Sequence, residues 1–277
     1  EHVFKAFGKT PEDRCFNYEA MKDERGVYDK QWGENTCVPD MSHEETQMWF
    51  YFMACFYMDL GIEALHCGQV NLMCSMGDKD NNYEGWRRMQ ALVREAAKTR
   101  ARRGIVLMDA HCPGIVVDGK HLFDFAAYPL RLTEKTSSTT LEATLLKGHL
   151  DSIIGKTTAG TTPSGWYTKR LPYILEFDNY GISRHAGKAA GDYFIWGYDE
   201  ISWIGLVSEE YARGFVMECV AYLEKVDPVG YIQMPGCRVA AMTNKYGFSP
   251  YRCNTRSDAC PTGRNLEETI KAIWKYK

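Results

Sequence analysis

The sequence predicts an α/β protein built as a (β/α)8 barrel of TIM type, incomplete or irregular at its N-terminal end. Three observations carry that reading. Short apolar runs, several opened by Gly or Pro, end in polar residues. Amphipathic stretches of helical length separate them. The glycine-rich first turn that opens a doubly wound sheet is missing from the sequence. Strand and helix in alternation imply a parallel sheet. About seven strands in a chain of 277 residues fit a barrel better than an open sheet.

The elements follow in order. Cys15–Glu19 reads as a weak first strand. Ser42-His-Glu-Glu has the pattern of an N-cap with an acidic first turn, and opens a helix to about Leu60. Gly61–Gly68 is a strand. Glu84–Arg103 is a helix, with Trp86, Met89, Leu92 and Val93 at helical spacing and a basic face turned to solvent. Gly104–His111 is a clear strand and Leu122–Phe125 a weaker one. Leu141–Ile154 reads as a helix, Leu171–Asn179 as a strand, and Asp199–Trp203 as a weak strand. Ser208-Glu-Glu-Tyr opens a helix to about Lys225. Val229–Pro235 is a strand, and Asn265–Trp274 the last helix. The eighth strand lies in a weak segment or upstream of Glu1. No linker or low-complexity tract divides the chain, so residues 1–277 are expected to form one domain.

Composition narrows the function classes. Hydrophobic residues make up 45% and charged residues 25%, which excludes disorder for the bulk of the chain. A net charge of −3 gives no pull toward nucleic acid or an anionic membrane. The longest strongly apolar run, Met48–Met58, falls well short of the roughly 20 residues that span a bilayer. The ten cysteines are even in number, which permits disulfides and favours a periplasmic or secreted setting over the cytoplasm. Cys55, Cys67 and Cys219 lie in apolar segments and read as small hydrophobes. Only Cys253 and Cys260, in a polar loop, read as a bridged pair. The absence of C-x-x-C removes the usual zinc and thioredoxin signatures. The chain begins at Glu1 without Met, which suggests a processed form or a fragment with no leader left to decide export.

Alternation along the strands points to the site. In a barrel the outward residues meet helices and are apolar, so the others turn inward. Tyr173, Leu175 and Phe177 outward leave Glu176 and Asp178 inward. Val106, Met108 and Ala110 outward leave Asp109 and His111. Phe16 and Tyr18 outward leave Asn17 and Glu19, while Phe123 and Phe125 leave Asp124. Ile232 and Met234 outward leave Tyr231 and Gln233. The strand through Glu63 and His66 is ambiguous, because those two have opposite parity. The predicted result is a ring of acids at the carboxyl end, where barrel enzymes place catalysis: Glu19, Asp109, Glu176 and Asp178, with Asp124, Asp199 and Glu200 as further members.

Two carboxyl groups facing across a pocket are what glycosidic cleavage requires. One is held protonated for the leaving oxygen, and the other stays ionised as nucleophile or base. Glu176, on the cleanest strand, is the first catalytic candidate. Its partner should come from across the ring, as Glu19 or Asp109. Trp32, Trp166, Trp196 and Trp203 lie in loops or at strand ends, where flat rings stack on sugars. Of these, Trp166, Trp196 and Trp203 are expected to line the cleft. His66, Gln69, His111 and Gln233, with Asp178, Asp199 and Glu200, are suited to binding hydroxyls. No cofactor is needed for this chemistry.

A metal-assisted hydrolase or isomerase using Asp109 and His111 is the sharper alternative, although neither H-x-H nor H-E-x-x-H occurs. A barrel that binds carbohydrate without cleaving it is the third reading. Gly155-Lys-Thr157 is not a phosphate loop, since Leu150 stands where the first Gly belongs, and there is no G-x-S-x-G elbow.

Several stretches resemble, across most of the chain, a group of bacterial glycoside hydrolases with a TIM-barrel fold. They are Gly61-Ile-Glu-Ala-Leu-His-Cys-Gly-Gln, Met108-Asp-Ala-His, Thr162-Pro-Ser-Gly-Trp, Leu171-Pro-Tyr-Ile-Leu-Glu-Phe-Asp-Asn and Gly197-Tyr-Asp-Glu-Ile-Ser-Trp. The resemblance implies a barrel and a carbohydrate substrate, and brings no catalytic pair with it.

Overall fold

The computed structural model describes residues 1–31, 33–112, 114–135, 141–145, 153–178, 199–243 and 247–275, with side chains described outside 237–249. The chain groups into two compact units, each discontinuous in sequence: residues 1–126 with 158–171, and residues 127–157 with 172–277. No helix among the described residues is long and apolar enough to cross a membrane.

In the first unit, helix α1 (Glu44–Asp59) buries Met48, Tyr51, Cys55 and Met58, one stripe at helical spacing. Its first-turn acids are ion-paired: Glu45 with Arg14 at 2.7 Å, and Glu44 with Lys9 at 2.5 Å. The residue capping α1 is His43, not Ser42, and it makes no side-chain cap. Ser42 is instead drawn back to Asp40, two residues earlier, its N–H and hydroxyl both donating to Asp40 Oδ1 at 2.8 Å.

Strand β1 (Ala64–His66) follows, then helix α2 (Glu84–Arg100) and strand β2 (Leu107–His111). Helix α2 turns Trp86, Met89, Val93 and Ala97 inward. Trp86 meets Phe50 of α1 and Phe123 edge-on, both with ring centroids 5.5 Å apart. Asp78 satisfies the start of α2, accepting from Gly85 N–H at 2.6 Å and Trp86 N–H at 3.3 Å. Gly85 has to be glycine, since a Cβ there would stand 2.2 Å from Met41 O.

Strands β1 and β2 are parallel, with Ala64 opposite Leu107, Leu65 opposite Met108, and His66 opposite Asp109. Strand β3 (Phe125–Pro129) begins in this unit. Asp124, just before it, takes N–H donors from Met108 and Ser164, each at 3.0 Å, and pairs with Arg94 at 2.7 Å. Asp124 thus ties strand, helix and loop together in the core and faces no cleft, contrary to its expected place among the site acids.

The expected strand Cys15–Glu19 is not formed. Asn17 Oδ1 accepts from Glu19 N–H and Ala20 N–H, and the chain enters a 3-10 turn at Glu19–Met21. Short-range side-chain bonding of this kind competes with extended pairing. Phe16 is still absorbed by packing on Trp49 and Phe52.

In the second unit β3 ends, and Leu130 N–H donates to Glu176 O at 2.7 Å. Glu176 closes strand β4 (Tyr173–Glu176). Tyr173, Leu175 and Phe177 are all buried. Helices α3 (Glu200–Leu206) and α4 (Glu209–Val226) precede strand β5 (Gly230–Ile232), which pairs parallel with β4. Gly230 is required because a Cβ would lie 2.6 Å from the Tyr173 ring. The Tyr173 hydroxyl donates to Asp227 at 2.8 Å. Ser208 caps α4 through Tyr211 N–H at 3.1 Å, as its sequence pattern predicts.

Two expected elements differ here. Asp199–Trp203 is the cap and first turns of α3, not a strand: Asp199 Oδ1 accepts from Ser202 N–H at 2.7 Å. Within the expected helix Leu141–Ile154, residues Ala143–Leu145 form a strand antiparallel to Leu132–Glu134, and 146–152 lie outside the described residues. Cys253 and Cys260 are not bridged to each other. Backbone bonding holds the loop instead, with Leu266 N–H donating to Cys253 O and Cys260 N–H to Ser257 O.

Candidate functional site

Each unit carries a cluster of polar side chains at strand ends. In the first, the parallel register sets His66 directly beside Asp109, and His111 two residues further along the same face of β2. His66 Nδ1 lies 2.5 Å from Asp109 Oδ1. The His66 and His111 rings are 4.6 Å apart, inclined at 59°. Gly68, with φ of +67°, turns the chain after β1. Its carbonyl accepts from His111 N–H at 3.0 Å, and the turn delivers Gln69, whose Nε2 lies 3.1 Å from His111 Nδ1.

The sequence left the facing of His66 open. The structure turns it to Asp109 and sends Glu63 elsewhere, to the backbone N–H of Arg103 at 2.6 Å and to its guanidinium. His66, Gln69, Asp109 and His111 are therefore brought together. An apolar cavity of about 470 Å³ adjoins them, lined by Trp49, Met53, Tyr57 and Met89 together with Leu65 and His66.

Glu19 belongs to this unit but not to the cluster. It lies on the 3-10 turn with its side chain 75% exposed, 3.0 Å from Lys22. Glu19 is thus a surface acid paired with Lys22, not the cleft carboxylate the sequence led one to expect. Trp166 is half-buried in the Thr162–Trp166 turn, its ring 6.3 Å from Phe125. Trp32 and Trp196 lie outside the described residues.

The second unit gathers acids. Glu176 and Asp178 are buried at and beyond the end of β4, and Asp199 and Glu200 are buried at the start of α3. The two segments are tied where Ile201 N–H donates to Asp178 O at 3.2 Å. Glu200 Oε1 accepts from Arg131 at 3.2 Å, both side chains almost wholly enclosed, while Glu200 Oε2 is buried with no hydrogen-bond partner. Burial pushes the Glu200 carboxyl up to about 8, with the charges of Asp178 and Asp199 adding to the rise against the opposing pull of Arg131. Asp199 is occupied as the α3 cap.

Trp203 does not line a cleft. It is fully buried, with Nε1 donating to Leu141 O at 2.8 Å and Phe215 5.0 Å away. Gln233 is exposed, its N–H donating to Leu175 O.

No protein-family model, curated protein or solved structure matches this chain. Function is therefore argued from these two clusters.

Sequence reasoning places Glu200 among the site acids and does not single out its contact with Arg131. Its only sequence signal is the acidic pair Asp199-Glu200 at the head of an apolar run, which also fits a plain helix start.

Proposed function

We propose that the protein is a glycoside hydrolase on a (β/α)8 barrel, cleaving a carbohydrate substrate with carboxyl groups alone. The observation that supports this reading best is Glu200. Burial pushes its carboxyl up to about 8, in a setting that also receives the negative charge of Asp178. Glycosidic cleavage divides its labour in that way, one carboxyl holding a proton at neutral pH and another acting as nucleophile or base. In this reading Glu200 supplies the proton to the leaving oxygen, and Glu176, at the end of β4, is the opposing carboxylate. Asp178 keeps the Glu200 proton in place and meets the sugar hydroxyls. The resemblance to bacterial TIM-barrel hydrolases implies the same fold and substrate class, and adds nothing to the choice of catalytic residues.

The test is a panel of oligosaccharides incubated with the protein and read by mass spectrometry for new reducing ends. Cleavage of at least one glycan is expected. Glu176→Gln and Glu200→Gln should each lower kcat by about 10²- to 10⁴-fold, and Glu19→Gln should not change it. Full turnover in Glu176→Gln would overturn the assignment. Glycan binding without any cleavage would instead make this a carbohydrate-binding protein.

A further inference from the structure

We propose that His66 and His111 form a binding site for a divalent transition-metal ion in the first unit, with Asp109 and Gln69 holding the two imidazoles. The proposal does not rest on the glycosidase reading.

The two rings sit at the ends of adjacent parallel strands, with a ring nitrogen of each within 4.8 Å of one of the other. Two imidazolium ions at such a spacing repel, whereas two neutral imidazoles offer lone pairs to one cation. Imidazole suits zinc, cobalt, nickel and copper and discriminates against the hard oxygen-seeking ions.

The surroundings are those of ligand histidines. A metal-bound histidine gives its second N–H to a carboxylate, carbonyl or amide, which fixes its tautomer and its tilt. Asp109 does this for His66, since a carboxylate accepting from Nδ1 leaves the Nε2 lone pair as the donor to a metal. Gln69 stands at the matching position on His111. Ligation through His111 Nε2 requires Nδ1–H to donate to Gln69 Oε1, a half-turn of the amide that interchanges its oxygen and nitrogen in place. The His66 side chain is 35% exposed, so an ion has a route in. Two protein nitrogens leave coordination positions for water or for an oxygen ligand, as in sites that keep an open position.

The experiment is a cobalt(II) titration of the full, reduced chain after chelator treatment, followed by visible absorption, with zinc added in competition. One equivalent should bind, with ligand-field bands and without the near-ultraviolet charge-transfer band of a thiolate ligand, and zinc should displace it. His66→Gln and His111→Gln should each weaken binding at least ~10-fold, and Asp109→Asn about 10- to 100-fold. Circular dichroism of the metal-free variants checks folding. If a histidine variant fails to fold, Asp109→Asn and Gln69→Ala carry the test. Absence of binding overturns the proposal, as does a thiolate band or unaltered affinity in the folded variants.

Discussion

Replacing Glu200 by Gln distinguishes two descriptions of the enclosed Arg131–Glu200 contact. With the carboxyl at about 8 in the folded chain and near ~4.3 in the unfolded one, the folded state holds a proton over that window that the unfolded state has released. Unfolding then releases a proton, so stability falls as pH rises from about 4 to about 8 and is level on either side. At 1.36 kcal/mol per pH unit, the ceiling on this loss is about 5 kcal/mol. Gln has the shape of the protonated acid, keeps an oxygen for Arg131 to donate to, and does not titrate. Urea unfolding of both proteins, followed by tryptophan fluorescence at pH 5, 6, 7 and 8, reads the difference directly. The two should be nearly equally stable at pH 5, with Glu200→Gln gaining by a few kcal/mol toward pH 8. A uniform loss of about 3–5 kcal/mol at every pH would mean that an ionised, paired carboxylate had been broken, and the reasoning about the Glu200 proton would fail with it.

Two further outcomes follow from the packing. Asp124→Asn removes the charge that Arg94 pairs with and turns an NH₂ against at least one N–H donor, Ser164 on Oδ1 or Met108 and Arg94 on Oδ2, and should cost about 3–5 kcal/mol in urea unfolding; a loss under about 1 kcal/mol would contradict the role given to Asp124. Ellman's reagent should modify exposed Cys15 first and half-buried Cys37, Cys253 and Cys260 more slowly. Buried Cys55, Cys74, Cys112 and Cys219, whose thiols burial pushes up, should react only on denaturation. An intact mass lower by about two hydrogens, localised to Cys253 and Cys260 by peptide mapping, would show the bridge that the structure lacks.

The sequence was legible where one physical signal dominated. In β2 and β4, apolar residues at every second position leave few alternatives for the polar ones: Asp109 and His111 share one face of β2, and Glu176 lies on the face of β4 opposite Tyr173 and Leu175, as parity alone requires. The same reasoning failed at Phe16 and Tyr18. They alternate like a strand, but Asn17 offers its side-chain oxygen to two nearby backbone N–H groups, a local bond that no alternation count registers. Ile201 and Trp203 were ambiguous for a different reason, since a short apolar run satisfies either period. Asp199 decided it by capping Ser202 N–H. Asp124 was expected at the site and is instead held in the core, by partners (Arg94, Met108 and Ser164) far apart in sequence.

His66 and Glu63 show what sequence pattern alone could not decide. Both are polar, on opposite faces of one short strand, and each has a separate cause. Glu63 accepts from Arg103 N–H and lends its carbonyl to Leu107 N–H at 2.9 Å, so it pins the start of β1 against the loop that leads into β2. Cys67 N–H to Asp109 O, and His111 N–H to Gly68 O, fix the other end. A slip of one residue would break all of these bonds and turn His66 to the opposite face, away from Asp109. The geometry of the proposed metal site therefore rests on a register set partly by a carboxylate that never approaches the ion. A substitution at Glu63 should consequently be felt at His66, although the two side chains point to opposite faces.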